Sequence, residues 1–175
     1  DYIHTDKPFE TSLDAIFSRL IPERALEENI RRSVLSEDMI ADEASPKLAD
    51  IRRKIRNANN KIKDTLQSYI GGARQKCLQE NIVTMRGGRY VVPVKAEYRN
   101  EVKGLVHDTS STGATLFVEP MAVVDANNEL KSLKAEETHE IERILSALSA
   151  ACGEASSVLT LNYHNITELS FAFAC

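Results

Sequence analysis

Between Leu48 and Ile70 the apolar residues Leu48, Ile51, Ile55, Ile62, Leu66 and Ile70 hold one face of a helix for more than six turns. A helix of that length is a rod, and it can bury its stripe only against another long element. The start is marked by Ser45-Pro46: the serine hydroxyl caps an orphan amide, and proline lacks the amide that would otherwise go unpaired. Asn57 to Lys61 dilute the stripe, and Gly71-Gly72 weakens the helix without having to end it. A second stripe, Leu130, Leu133, Ile141, Ile144 and Leu148, returns close to heptad spacing in a helix predicted from Asp125. A third helix follows Gly153 through Leu159, Tyr163, Ile166, Leu169 and Phe173.

Between the rods the pattern changes to strands. Ile82–Met85 and Tyr90–Val94 flank Arg86-Gly87-Gly88-Arg89, where the glycine pair supplies the positive φ angles of a two-residue hairpin. Val102–His107 and Ala114–Val118 form a second pair around Ser110–Gly113. Pro93 has no ladder donor, so it belongs at an edge or a bulge. Ahead of the first rod, Leu13, Ile16, Phe17, Leu20 and Ile21 predict a helix, Pro22 opens a second one, and Met39-Ile40 reads as a short strand. The expected fold is mainly α with a small inserted antiparallel β element (α+β). Residues 1–81 hold the outgoing helices, 82–120 the inserted sheet, and 121–175 the returning helices. An insert between two long helices makes them leave and return, so they pack most simply as antiparallel neighbours.

Charge is uneven along this layout although the whole chain carries only −4. Arg74 to Lys103 holds seven basic residues against three acidic ones, and Glu119 to Arg143 the reverse. A basic sheet can neutralise phosphates without reading sequence, and Tyr90 and Tyr98 among those cations could stack on bases. The plainer alternative is a solvated face balanced by the acidic helix. His139 among Glu136, Glu140 and Glu142 lacks the converging ligands of a metal site. His107-Asp108 with Ser110 and Ser111 sits at a strand end and turn, without the scaffold of a hydrolase triad. No GxxxxGK[ST] occurs, so nothing cradles a triphosphate in the P-loop manner. Cys77, Cys152 and Cys175 form no CxxC pair, which suits a reducing compartment, and no apolar run reaches membrane-spanning length. A cytoplasmic protein is expected, with no membrane partner and no metal. The chain opens on Asp1 and closes on an uncapped apolar helix, as a piece of a longer protein would.

Two stretches, residues 42–52 and 78–148, resemble the second bacterial MutS family, the anti-recombination MutS paralogue. The residues that carry the resemblance are Ala44-Ser45-Pro46, Arg86-x-x-Arg89-Tyr90, Pro93-Val94-Lys95, Gly104, His107-Asp108, Ser110-Ser111, Gly113-x-Thr115, Glu119-Pro120 and Asn127-Asn128. Ser170 stands where the family's helix has Asp. The resemblance implies core and lever helices with a clamp inserted between them. In full-length relatives these accompany an ATPase that uses ATP and Mg, often with an Smr-type nuclease domain, in a homodimer. It implies a non-catalytic fragment of a repair or recombination-control ATPase that contacts the backbone of DNA or ribosomal RNA. Arg86, Arg89, Lys95, Arg99 and Lys103 are then the expected phosphate contacts, with Arg74 and Lys76 supporting them. A connector or dimerisation scaffold is the alternative.

Overall fold

The computed structural model describes residues 12–174; Asp1 and Cys175, named above, lie outside the described residues. The chain forms two compact units, one of Ser45–Ile141 and one of the residues up to Ala44 together with those from Glu142 onward.

In the first unit, helix α3 (Pro46–Ile70) is entered as the sequence implies. The Ser45 hydroxyl accepts from the amides of Lys47 at 3.2 Å and Leu48 at 3.4 Å. The helix buries Leu48, Ile51, Ala58, Ile62, Leu66 and Ile70 and stops at the glycine pair, the Gly71 amide donating back to the Gln67 carbonyl at 3.0 Å. Helix α4 (Met121–Glu154) begins at once after a strand ending in Pro120, four residues earlier than the apolar pattern indicates. Proline needs no amide partner, so it suits this junction of ladder and helix start. The rods run antiparallel, because partners on α4 fall in number as those on α3 rise. Ser45 donates to the Glu140 carboxylate at 2.8 Å and Arg52 to Glu137 at 2.7 Å, while Lys54, Asn57 and Lys61 share a cavity of about 240 Å³ with Glu129.

The insert is a four-stranded antiparallel sheet in the order β3-β4-β6-β5, of β3 (Thr84–Arg86), β4 (Arg89–Lys95), β5 (Gly104–Thr109) and β6 (Thr115–Pro120). Gly87 at φ 56° and Gly88 at φ 77° make the β3–β4 turn, where Arg86 faces Arg89. Pro93 is not on an edge strand, since β4 pairs with both β3 and β6. However, β3 has stopped pairing beyond Val91, and the Pro93 carbonyl on that side accepts from the Gln79 amide at 2.9 Å. The missing donor therefore faces a side with no ladder to break. Alternation turns Val92, Val94 and Val118 onto one face, where they join Ala58, Ile62 and Leu66 of α3 and Val123, Ala126, Leu130 and Leu133 of α4. Each buried valine, leucine or isoleucine of this set contributes about 1.5–3 kcal/mol by leaving water.

The second unit holds α1 (Ser12–Phe17), α2 (Arg24–Ser33), the short hairpin β1 (Val34–Ser36) and β2 (Met39–Ile40), the end of α4, and α5 (Ser156–Ala174). Helix α1 is shorter than the spacing from Leu13 to Ile21 predicts. The cause is local: Asn162 of α5 bonds both the amide and the carbonyl of Ile21, at 2.9 and 2.6 Å, and Asn165 donates to the Arg19 carbonyl at 3.4 Å. These amides hold the segment in a non-helical path.

Gly104 is a close-approach position: a Cβ there would lie 2.2 Å from the Glu119 carbonyl oxygen and 2.7 Å from a Val118 methyl. Gly104→Ala is expected to cost ~1–3 kcal/mol in denaturant unfolding. Gly153→Ala, with open space around a helical residue, should instead stabilise by up to about 1 kcal/mol.

Candidate nucleic-acid interface

Glu119 sits next to the end of β6 among Phe117, Val118 and Pro120, and its side chain is fully buried. A carboxylate removed from water needs several kcal/mol of compensation. Arg89, at the start of β4, donates from Nη1 to Glu119 Oε1 at 2.6 Å, and Asn127 of α4 donates to the same oxygen at 2.8 Å. His107 Nε2 of β5 lies 2.5 Å from Oε2. The second Arg89 nitrogen bonds Asn128 Oδ1, and the Asn127 amide pairs with the amide and carbonyl of Tyr90, each at 3.2 Å. One carboxylate thus ties three strands to the first turns of α4.

This network fixes the surroundings of several residues singled out in the sequence. Arg89, with 19% of its side chain exposed, is paired with Glu119 rather than extended into solvent. The Tyr90 ring is partly buried against the core, its hydroxyl donating to Asn59 Oδ1 at 2.8 Å. Tyr98 is also half-buried against the core. His107 serves the buried carboxylate, and Ser110 accepts the Thr115 amide at 3.0 Å within its turn. The network was readable in part, because a glutamate between Val118 and Pro120 in a buried strand demands a cation. Nothing in the spacing pointed to Asn127.

The other sheet cations occupy different places. Arg86 lies over the Phe117 ring at 4.0 Å and pairs with Asp108 at 3.2 Å. It borders a cavity of about 270 Å³ with Thr84, Pro93, Ser110 and Thr115. At the far end of β4, about 20 Å along the strand from Arg89, Lys95 donates to the Lys76 carbonyl at 3.2 Å and sits 5.8 Å from the Tyr98 ring. The Lys76 ammonium is 3.5 Å from Glu101, and the Arg74 guanidinium lies 4.7 Å over Tyr69. Beneath them Cys77 is buried; burial first, then its hydrogen bond to Glu101, pushes its thiol above the ordinary value. Lys103 is exposed and Arg99 half-buried on the segment leading to β5. The seven expected cations therefore do not make one patch: Lys95 bonds Lys76, Arg74 borders them, Arg86 lies at the opposite end of the strand pair beside Arg89, and Arg89 is withdrawn.

A stronger imbalance lies on α3, where Pro46–Ile70 carries seven basic residues and two acidic ones. Counting the whole helix, rather than its junction with the sheet, would have found it. Among the described residues no group of three or more His, Cys, Asp or Glu side chains could hold a metal ion. No single described helix is long and apolar enough to cross a membrane.

Antiparallel rods with a small inserted sheet define a mainly helical α+β segment. The chain matches no family model. It is similar to a protein named Endonuclease MutS2 from Caldanaerobacter subterraneus subsp. tengcongensis, 55% identical over 156 residues, 89% of this chain and 20% of that protein. Proteins of the same name from Acetivibrio thermocellus and Clostridioides difficile are 49% and 48% identical over 99% and 93% of the chain. The chain spans about a fifth of the length of these relatives.

Arg89→Met removes the main counter-charge of a buried carboxylate and is expected to cost about 3–5 kcal/mol. Arg86→Met, at a partly exposed pair, should cost less than about 1 kcal/mol. Urea unfolding of both variants compares them directly.

Proposed function

We propose that this chain is the core, lever and clamp region of a MutS2-type protein concerned with DNA repair and recombination control. Its sheet contacts the phosphate backbone of a nucleic acid without reading sequence. The observation that carries the reading is the near-50% identity, across almost the whole chain, to proteins named Endonuclease MutS2. The local geometry supports it through Lys76 and Lys95, which meet at one end of the sheet, with Arg74 bordering them, Arg99 and Lys103 on the segment leading to β5, and Arg86 at the other end of the sheet. Such cations act by releasing condensed counterions, so binding is sensitive to salt and tolerant of sequence. The 175 residues hold no P-loop, so the use of ATP and Mg belongs, on this reading, to other parts of a longer dimeric protein. The chain itself is non-catalytic, and its target is DNA or ribosomal RNA.

A second reading, a connector or dimerisation scaffold, is favoured by α5. Tyr163, Ile166 and Phe171 there are 70%, 53% and 73% exposed, more apolar surface than a helix usually leaves in water.

Anisotropy titrations of labelled DNA and RNA between about 50 and about 200 mM salt separate the two. Each phosphate contact on a duplex contributes about 0.9 to the slope of log affinity against log salt. Lys76→Glu combined with Lys95→Glu is expected to lower that slope by about two. Binding that ignores salt, or ignores this pair of substitutions, leaves the scaffold reading in possession.

A further inference from the structure

The sheet has a second face, turned away from the helices. Val92, Val94 and Val118 point into the core, so alternation sends Pro93 and Phe117, which stand opposite each other in the β4–β6 ladder, to the other side. There they border the cavity of about 270 Å³. Arg86 reaches this cavity from β3, its guanidinium 4.0 Å from the centre of the Phe117 ring and held by Asp108 of β5 at 3.2 Å. The lining carries one cation, Arg86, and one acid, Glu80, so it suits a neutral ligand better than a lone phosphate. Its remaining walls offer hydroxyls from Thr84, Ser110 and Thr115 and the side-chain amide of Gln79. The Ser110 hydroxyl is engaged by the Thr115 backbone amide at 3.0 Å, whereas the Thr115 hydroxyl and the Gln79 side-chain amide bond no other described residue. The cavity also adjoins the cations of the sheet. Thr115 on its wall is the cross-strand partner of Lys95, and the Gln79 segment, just beyond Lys76, is tied to the Pro93 carbonyl at 2.9 Å.

We propose that this cavity takes one unpaired nucleobase of a single-stranded nucleic acid whose phosphate is held by Lys95 and Lys76. A base is a flat, neutral ring with donors and acceptors around its edge. Arg86 and Phe117 form a ready stack, and bases lie on guanidinium planes as well as on aromatic rings. The unengaged Thr115 hydroxyl and Gln79 amide each donate and accept, so they suit the edge of any base without selecting one. Position decides the occupant. Directly opposite residues of an antiparallel pair have Cβ atoms about 5 Å apart, and a base is joined to its phosphate through a single sugar. A phosphate on Lys95 therefore leaves its own base beside Thr115. A duplex keeps its bases paired and stacked inside, so it gains nothing from the cavity. The inference rests on the phosphate-contact reading above and deepens it, because it names the strand state that the sheet prefers.

The test compares two single-stranded DNA oligonucleotides of equal length, one with bases and one abasic throughout, so that both carry the same phosphates. A duplex of the same sequence is the third probe. Thr84→Leu fills the cavity and Phe117→Leu removes its ring; neither changes charge, and circular dichroism with urea unfolding checks that each folds. Lys76→Glu with Lys95→Glu removes the adjoining cations. The parent chain is expected to bind the base-bearing strand about tenfold more tightly than the abasic one, within what stacking of one base supplies. Thr84→Leu and Phe117→Leu should each erase most of that margin and leave the duplex affinity and its salt slope where they were. Should Phe117→Leu fail to fold, Thr84→Leu decides alone. Equal binding of the two strands by the parent chain, or a margin that survives the substitutions, overturns the base site. If the lysine pair still weakens binding in that case, the sheet reading stands without it. If neither strand binds at about 50 mM salt, or the lysine variant binds both as the parent chain does, the sheet reading falls and the base site with it.

Discussion

A carboxylate with no access to water organises the inserted sheet. Glu119 lies at the end of β6, and its oxygens are reached by Arg89 from β4, His107 from β5 and Asn127 from α4. Leaving any lone pair unmatched in so dry a place would cost more than an ordinary surface hydrogen bond returns. The strands are thereby held in one register, and the start of α4 is held to the hairpin that begins β4. Such a joint gives the sheet a single way to sit on its helices.

The second constraint is the antiparallel pairing of α3 and α4, in which charged rungs sit beside the apolar seam. Ser45 both caps α3 and donates to the buried Glu140, so the helix start and the pairing are one structural event. Arg52 with Glu137 repeats the arrangement further along. These acids use up particular cations, and what they leave decides where positive charge reaches the surface. The result is a charge distribution that net charge could not reveal, with Lys76 and Lys95 together at one end of the sheet and Arg74 beside them.

The rods, the glycine hairpin and the serine-proline helix start were legible in the amino-acid order, because each depends on neighbours a few residues away. Pro93 was read half correctly. The rule that proline avoids a central ladder is sound, but it applies to one side of a strand at a time, and β3 is too short to occupy that side. The extent of α1 was misread because Asn162 and Asn165, far away in the chain, hold the backbone at Arg19 and Ile21. Among the expected contacts, Arg89 looked like its basic neighbours, since composition does not distinguish a cation facing solvent from one facing a buried carboxylate.

Periodicity and local turn chemistry by themselves determined that this chain makes long amphipathic helices around a small antiparallel sheet. Those preferences act over a single turn of backbone and need nothing from the rest of the molecule. Only the tertiary structure decided which charges are spent and which are offered. An ion pair forms between residues thirty or ninety positions apart, and burial sets its strength. The partner of Arg89 could therefore be known only once three strands and a helix had closed around Glu119.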